Sequence, residues 1–117
     1  MMSSVDHKVD LDELATRLER ARADWVRTAH VGPLTWRDEQ AAWPQPIVSE
    51  RSAVAVPESV GVVLRYGEDV AEFVVWTGGW ADIGMLMDGE VVNLYAEFQD
   101  VDGAYAAVAR NVEDFLA

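Results

Sequence analysis

The sequence predicts an α+β fold: an antiparallel meander sheet of four to five strands with an N-terminal and a C-terminal helix packed on one face. Two observations lead there. Between Val60 and Phe98, three turn signals (Tyr66-Gly67-Glu68-Asp69, Gly78-Gly79 and Asp88-Gly89) separate runs rich in β-branched and aromatic residues. Asp-Gly and Gly-x pairs supply the positive φ that tight hairpins demand. On either side of this stretch, apolar residues recur at spacings of three and four, the period of a helix with one buried stripe.

The first helical pattern comprises Leu11, Leu14, Leu18, Ala21 and Trp25, with Asp10 and Glu13 at the spacing of a capping box. Its periodicity predicts about four turns. The polar side interleaves Arg17, Arg20, Arg22 and Arg27 with Glu13, Glu19 and Asp24, as on a salt-bridged solvent face. Residues 1–9 lack periodicity and are expected to form a flexible tail. The opening MMSSVDHKVD has no basic region followed by an apolar one, and no run reaches membrane-spanning length. A cytoplasmic protein without a membrane partner is therefore expected.

Residues 29–57 are the least regular. Four prolines, Pro33, Pro44, Pro46 and Pro57, oppose a long helix, and Ser52–Val56 has the makings of a short edge strand stopped by Pro57. Trp36 and Trp43 are expected to be buried, folded over part of the sheet's outer face, because tryptophan is largely buried on average. The alternative is that they stand exposed as anchors for a partner.

Within the sheet, register is tested by burial. Two-residue loops at Gly67-Glu68 and Asp88-Gly89 group Val60, Val62 and Leu64 with Ala71, Phe73 and Val75, and Ile83, Met85 and Met87 with Val92, Leu94 and Ala96. A two-residue loop at Gly78-Gly79 would set these groups on opposite faces, since one step of register flips every side chain. A three-residue loop, Thr77–Gly79, with a left-handed glycine forming a bulge, brings them onto one face. The opposite face then carries a row of Trp76, Trp80 and Glu97, a row of Val74, Asp82 and Tyr95, and a row of Glu72, Gly84 and Asn93. After the sheet, Asp100 is placed to cap a helix with Val101, Ala104, Val108, Val112 and Phe115 on its apolar stripe, widened by Tyr105 and Leu116. Two apolar helix stripes and one apolar sheet face suggest two layers.

A chain of 117 residues with 50% apolar composition suits one domain, 1–117, able to bury roughly two-thirds of its unfolded surface without disulfide or metal. The absence of cysteine excludes disulfide scaffolds, thiol catalysis and cysteine zinc sites. Nine basic against twenty-one acidic residues give a net charge of -12. That disfavours nucleic acid and anionic membrane as partners, because both need basic contacts. From residue 51 onward, twelve acids face only Arg51, Arg65 and Arg110, so the sheet half holds most of the negative field. Such charge serves solubility, steering toward a basic partner, or both.

No catalytic constellation emerges. His7 and His30 lie in no motif that would make either a base or a metal ligand, and no nucleophile elbow is present. Gly78-Gly79 precedes a strand and so is no phosphate cradle; HExxH and calcium-loop spacings are missing. No cofactor and no metal site is expected. Glu72, Asp82 and Glu97 share a predicted face, and paired acids run glycosidic or metal-assisted chemistry when a cleft holds them. Nothing fixes these three in a cleft, so a solvated or partner-binding surface is the preferred reading. Trp76, Trp80 and Tyr95 likewise either stabilise the sheet as cross-strand aromatics or anchor a partner.

The run Phe73–Met85, FVVWTGGWADIGM, with the Asp88-Gly89 hairpin, the segment YAEFQD at Tyr95–Asp100 and a closing helix ending Asp114-Phe115-Leu116, resembles the TriTu group of immunity proteins of bacterial polymorphic toxin systems. Trp76, the glycine after it and Asp82 in the next strand carry the resemblance, which spans about half of the chain. Trp80 departs from it, standing where the group has a small residue. The resemblance implies a non-enzymatic, stoichiometric inhibitor of a cognate protein toxin. Glu72, Trp76, Trp80, Asp82, Tyr95 and Glu97 are the candidate partner-binding residues, matched to a basic surface on the toxin. Two other classes stay open: an assembly protein, such as a homodimer joined by its outer sheet face or a secretion adaptor, and a small-ligand-binding protein or carboxylate enzyme with its site between the sheet and residues 29–57.

Overall fold

A computed structural model describes residues 7–117. Asp10 ends the N-terminal extension by accepting the Glu13 N–H at 3.0 Å, and helix α1 runs Leu11–Trp25. The Glu13 carboxylate binds Arg17 Nε at 3.0 Å, joining the ion pairs of the helix surface. Arg22 pairs with Glu19, and Arg17 also reaches Asp102 of the last helix at 2.7 Å. The expected flexible tail is corrected in part. Residues 1–6 lie outside the described residues, but Val9 is fully buried and exchanges backbone and hydroxyl hydrogen bonds with Thr77.

Six strands follow: β1 (His30–Val31), β2 (Thr35–Asp38), β3 (Pro57–Tyr66), β4 (Asp69–Trp76), β5 (Trp80–Met87) and β6 (Glu90–Glu97), before helix α2 (Val101–Leu116). All pairings are antiparallel. β3 to β6 form the expected meander, while β1 and β2 lie end to end on the other edge of β3, opposite Leu64–Arg65 and Pro57–Gly61. The sheet is thus six-stranded and five strands wide. Ser52–Val56 is not a strand: Arg51–Ala53 forms a single 3-10 turn, and the edge position is taken by β2. Asp38 explains the exchange, because its carboxylate accepts N–H groups from Ala55, Val56 and Gln40 and folds residues 39–56 into a loop.

The turns set the register as the glycines require. Tyr66 pairs with Asp69 and Met87 with Glu90 across two-residue loops, and Asp88 and Gly89 both have positive φ. Trp76 pairs with Trp80 across the three-residue loop Thr77–Gly79, where Gly79 has φ +108°. Val60, Val62, Leu64, Ala71, Phe73, Val75, Ala81 and Ile83 consequently share one buried face, against Leu11, Leu14 and Leu18 of α1 and Ala104, Val108, Val112 and Phe115 of α2. Each large side chain so buried contributes about 1.5–3 kcal/mol from removal of apolar surface.

The helices are narrower than the sheet. α1 packs on β3 and β1, and α2 on β4, so β6 projects past them. Val92 and Leu94, on the inner face by register, remain 40% and 41% exposed, a correction to their expected place in the core. The tryptophans of the irregular segment divide. Trp36 is buried, but on the inner face opposite Val60 rather than the outer one, beneath the Arg51 guanidinium 5.5 Å from its ring centre, whereas Trp43, expected inside, is 82% exposed.

Two measurements check this account. An added Cβ at Gly79 would lie 2.7 Å from the Phe98 carbonyl oxygen, whereas at Gly67 (φ +63°) it meets open space. Gly67→Ala is expected to cost about 1 kcal/mol of unfolding free energy, the left-handed penalty alone, and Gly79→Ala at least about 2 kcal/mol, read from denaturant midpoints. The second concerns pH. Hydrogen bonds from Ala55 N–H and then Gln40 N–H, opposed by a smaller desolvation penalty, hold the Asp38 carboxyl below its usual range. A depressed carboxyl stabilises the fold above its unfolded pKa, and that contribution is lost as pH falls through the lower folded value. Acid titration of thermal stability is therefore expected to show a loss below about pH 4 that Asp38→Asn reduces.

Candidate functional site

No described element covers the face of the sheet opposite the helices over β4 to β6, and the side chains there follow from strand alternation. Trp76 ends β4 and Trp80 begins β5, directly paired across the Thr77–Gly79 turn, with Glu97 of β6 next in the row. Val74, Asp82 and Tyr95 make the second row, and Glu72, Gly84 and Asn93 the third. The structure therefore brings all six predicted residues, Glu72, Trp76, Trp80, Asp82, Tyr95 and Glu97, onto one face.

Their contacts are mutual. The Trp76 and Trp80 rings stack with centroids 6.0 Å apart and 18° between planes, an arrangement worth about 0.5–1.5 kcal/mol beyond buried area. Trp80 lies over the turn because Gly78 has no side chain; a Cβ there would collide with the indole ring. Trp76 Nε1 donates to Asp82 Oδ2 at 3.1 Å, and the Tyr95 hydroxyl donates to Glu97 Oε2 at 2.8 Å. Trp76 and Tyr95 are thus each tied to an acid on the same face, and Trp80 is held by its stack on Trp76. The Glu97 carboxylate, through that hydrogen bond, holds the Tyr95 phenol above its usual range, and the negative charges of Glu97 and Asp82 push the same way. Gly84, flanked by Glu72 and Asn93, leaves a shallow hollow between the rows.

A seventh member was not legible. Arg37 of β2 lays its guanidinium 5.0 Å from the Trp76 ring centre and donates to the Ser59 hydroxyl at 3.1 Å. This cation–π contact covers the inboard side of Trp76 and leaves Trp80 and Tyr95 as the more exposed aromatics, at 36% and 60%. The alternation of Thr35, Trp36, Arg37 and Asp38 is the only signal that could have placed it.

A second concavity lies across the molecule, between α1 and the segment from Leu34 to Arg51. Its floor is Ala15, Leu34 and Trp36, and its rim includes Asp12, Glu19 and Arg20. Asp12 is already engaged by Arg51, at 2.7 and 3.1 Å, and this hydrogen-bonded guanidinium holds the Asp12 carboxyl below its usual range. The groove therefore offers no pair of free, converging carboxylates. Among the described residues, no group of three or more His, Asp or Glu is arranged to hold a metal ion. No helix there is long and apolar enough to cross a membrane.

Fold and surface together define a two-layer α+β protein with one acidic and aromatic sheet face that no described element covers. No protein family, curated protein or solved structure matches the chain.

The coupling of Tyr95 to Glu97 is open to direct test. Spectroscopic titration of tyrosinate is expected to show one of the three tyrosines ionising above the ordinary range in the wild-type chain, and Glu97→Gln should bring it back toward that range.

Proposed function

We propose that the chain is an immunity protein: a stoichiometric inhibitor that binds a cognate toxin domain with the open face of β4 to β6. The observation that carries this reading is the gathering of aromatic anchors and carboxylates on one face that no described element covers. Trp80 and Tyr95 offer apolar area with few rotatable bonds, the kind of side chain that dominates interface energy. Glu72, Asp82 and Glu97 surround them with negative charge, and a net charge of -12 extends that field. A basic cleft, as in a domain that acts on nucleic acid or nucleotides, is the complementary partner, with charge raising the association rate and the aromatics slowing release.

The resemblance of Phe73–Met85 and the following segments to the TriTu immunity proteins supports the same reading. Inhibition of this kind proceeds by occupancy, so it asks of the chain a rigid surface and no reacting group. The sheet supplies that rigidity: the six residues sit on regular strands, with the register of β4 and β5 locked from the buried side and β6 held by its unbroken ladder to β5.

Affinity capture of the tagged protein from its own cells, at low and then raised salt, tests the reading. The expected result is one basic, toxin-like protein held in a one-to-one complex and loosened by salt. Trp80→Ala and Tyr95→Ala are each expected to weaken that complex by about 2 kcal/mol or more while leaving the circular dichroism spectrum unchanged. Recovery of no such protein, or full affinity in both variants, would sink the assignment.

A further inference from the structure

Strand β6 is the outermost strand of the sheet, eight residues long, and paired to β5 without a bulge. Seven of its eight residues are exposed, including Val91 at 72% and Tyr95 at 60%, and its inner-face Val92 and Leu94 lie beyond the reach of the helices. Natural sheets guard such an edge with proline, lysine, a bulge or an inward-pointing charge. Glu90-Val91-Val92-Asn93-Leu94-Tyr95-Ala96-Glu97 has no proline, lysine or bulge, and its two acids stand only at the ends.

The direction of the free backbone groups follows from one bond. Phe98 N–H donates to the Gly79 carbonyl at 3.0 Å, continuing the β5–β6 register. In an antiparallel ladder the hydrogen-bonded positions alternate, so Glu90, Val92, Leu94 and Ala96 face β5 with their backbone groups. Val91, Asn93, Tyr95 and Glu97 turn theirs outward.

We propose that this edge pairs with β6 of a second copy of the chain, antiparallel about a two-fold axis through Asn93. Two-fold symmetry keeps inner face beside inner face, and centring on Asn93 then fixes every opposite pair. On the inner face Val92 meets Leu94 of the second copy, twice. On the outer face Val91 meets Tyr95, twice, and Asn93 meets Asn93. Glu90 falls opposite Ala96 and Glu97 opposite Gly89, so no carboxylates face each other. The outward backbone groups of Val91, Asn93 and Tyr95 meet their counterparts in the same register.

Neighbouring registers lose this fit: centring on Leu94 sets Val91 against Glu97, and centring on Val92 sets Val91 against Asn93 and Leu94 against Glu90. Self-complementarity on both faces in one register is what favours a second copy over an unrelated strand. Assembly stops at two, because the opposite edge is broken between Val31 and Thr35 and Trp36 is already bonded to Val48. The two open faces then lie side by side in one continuous sheet.

A single strand edge buries less than the roughly 800 Å² per partner of a standard stable interface, so the dimer exchanges with monomer. Sedimentation of the full chain over a range of concentrations is expected to give a monomer–dimer equilibrium with a Kd on the order of 10–100 μM. Because each copy carries a net charge of -12, added salt should tighten the dimer, opposite to its effect on a complex with a basic toxin. Val91→Lys should weaken the dimer about tenfold or more with an unchanged circular dichroism spectrum.

Cysteine supplies a second readout in a chain that has none. Under mild oxidation Asn93→Cys is expected to link two copies, since paired Cα atoms about 5.5 Å apart suit a disulfide. Val91→Cys, offset by four residues or about 13 Å along the strands, should not. A monomer at every concentration would overturn the proposal and leave the edge to a strand of another protein. So would a dimer indifferent to Val91→Lys, or linkage of Val91→Cys as fast as that of Asn93→Cys.

Discussion

The structure depends on the three residues between β4 and β5. Thr77, Gly78 and Gly79 add one residue to what a minimal hairpin needs, and that residue brings the apolar positions of both hairpins onto one face. A slip of one step would turn Ile83 and Met85 outward and Trp80 and Asp82 into the core. The same turn is a junction for the rest of the chain. Thr77 bonds Val9 from the N-terminal extension and Glu58 at the start of β3, while the Gly79 carbonyl accepts Phe98 N–H at the exit of β6. Gly79 has positive φ and lies against the Phe98 backbone and the Lys8 side chain, so a single glycine closes the turn and seats both flanking segments.

From that register the asymmetry of the molecule follows. Two helices cover one face of a five-strand-wide sheet only as far as β5, and no described element covers the other face. What remains outside is an acidic, aromatic face over β4 to β6 and an unguarded edge along β6. The two surfaces are physically different. The face carries charge and anchored rings and suits a partner of opposite sign; the edge carries unpaired backbone groups and apolar side chains and suits a strand. Tyr95 belongs to both, with its ring on the face and its backbone on the edge.

Much of the meander was legible because turn chemistry and alternation are local properties. Asp88-Gly89, Gly67-Glu68 and the doubled glycine mark the turns by the φ values they permit, and the apolar alternation then selects loop length. The six candidate site residues were placed on one face by the same logic. Arg37, Trp43 and Val9 were not. Arg37 meets Trp76 only because β2 lies on the far edge of β3, a contact between residues thirty-nine positions apart. Trp43 carries an average expectation of burial that its loop, held by Asp38, does not meet.

Sequence alone determined which residues share a face, where the strands turn and where both helices are capped, because each is settled by φ preferences, side-chain period and short-range hydrogen bonds. Tertiary structure decided what covers each face. Val92 and Leu94 have the same alternation as Ile83 and Met85, yet only the latter pair lies beneath the helices. Period reports the direction of a side chain; coverage depends on how far two helices extend across a sheet, and no residue of β6 encodes that distance.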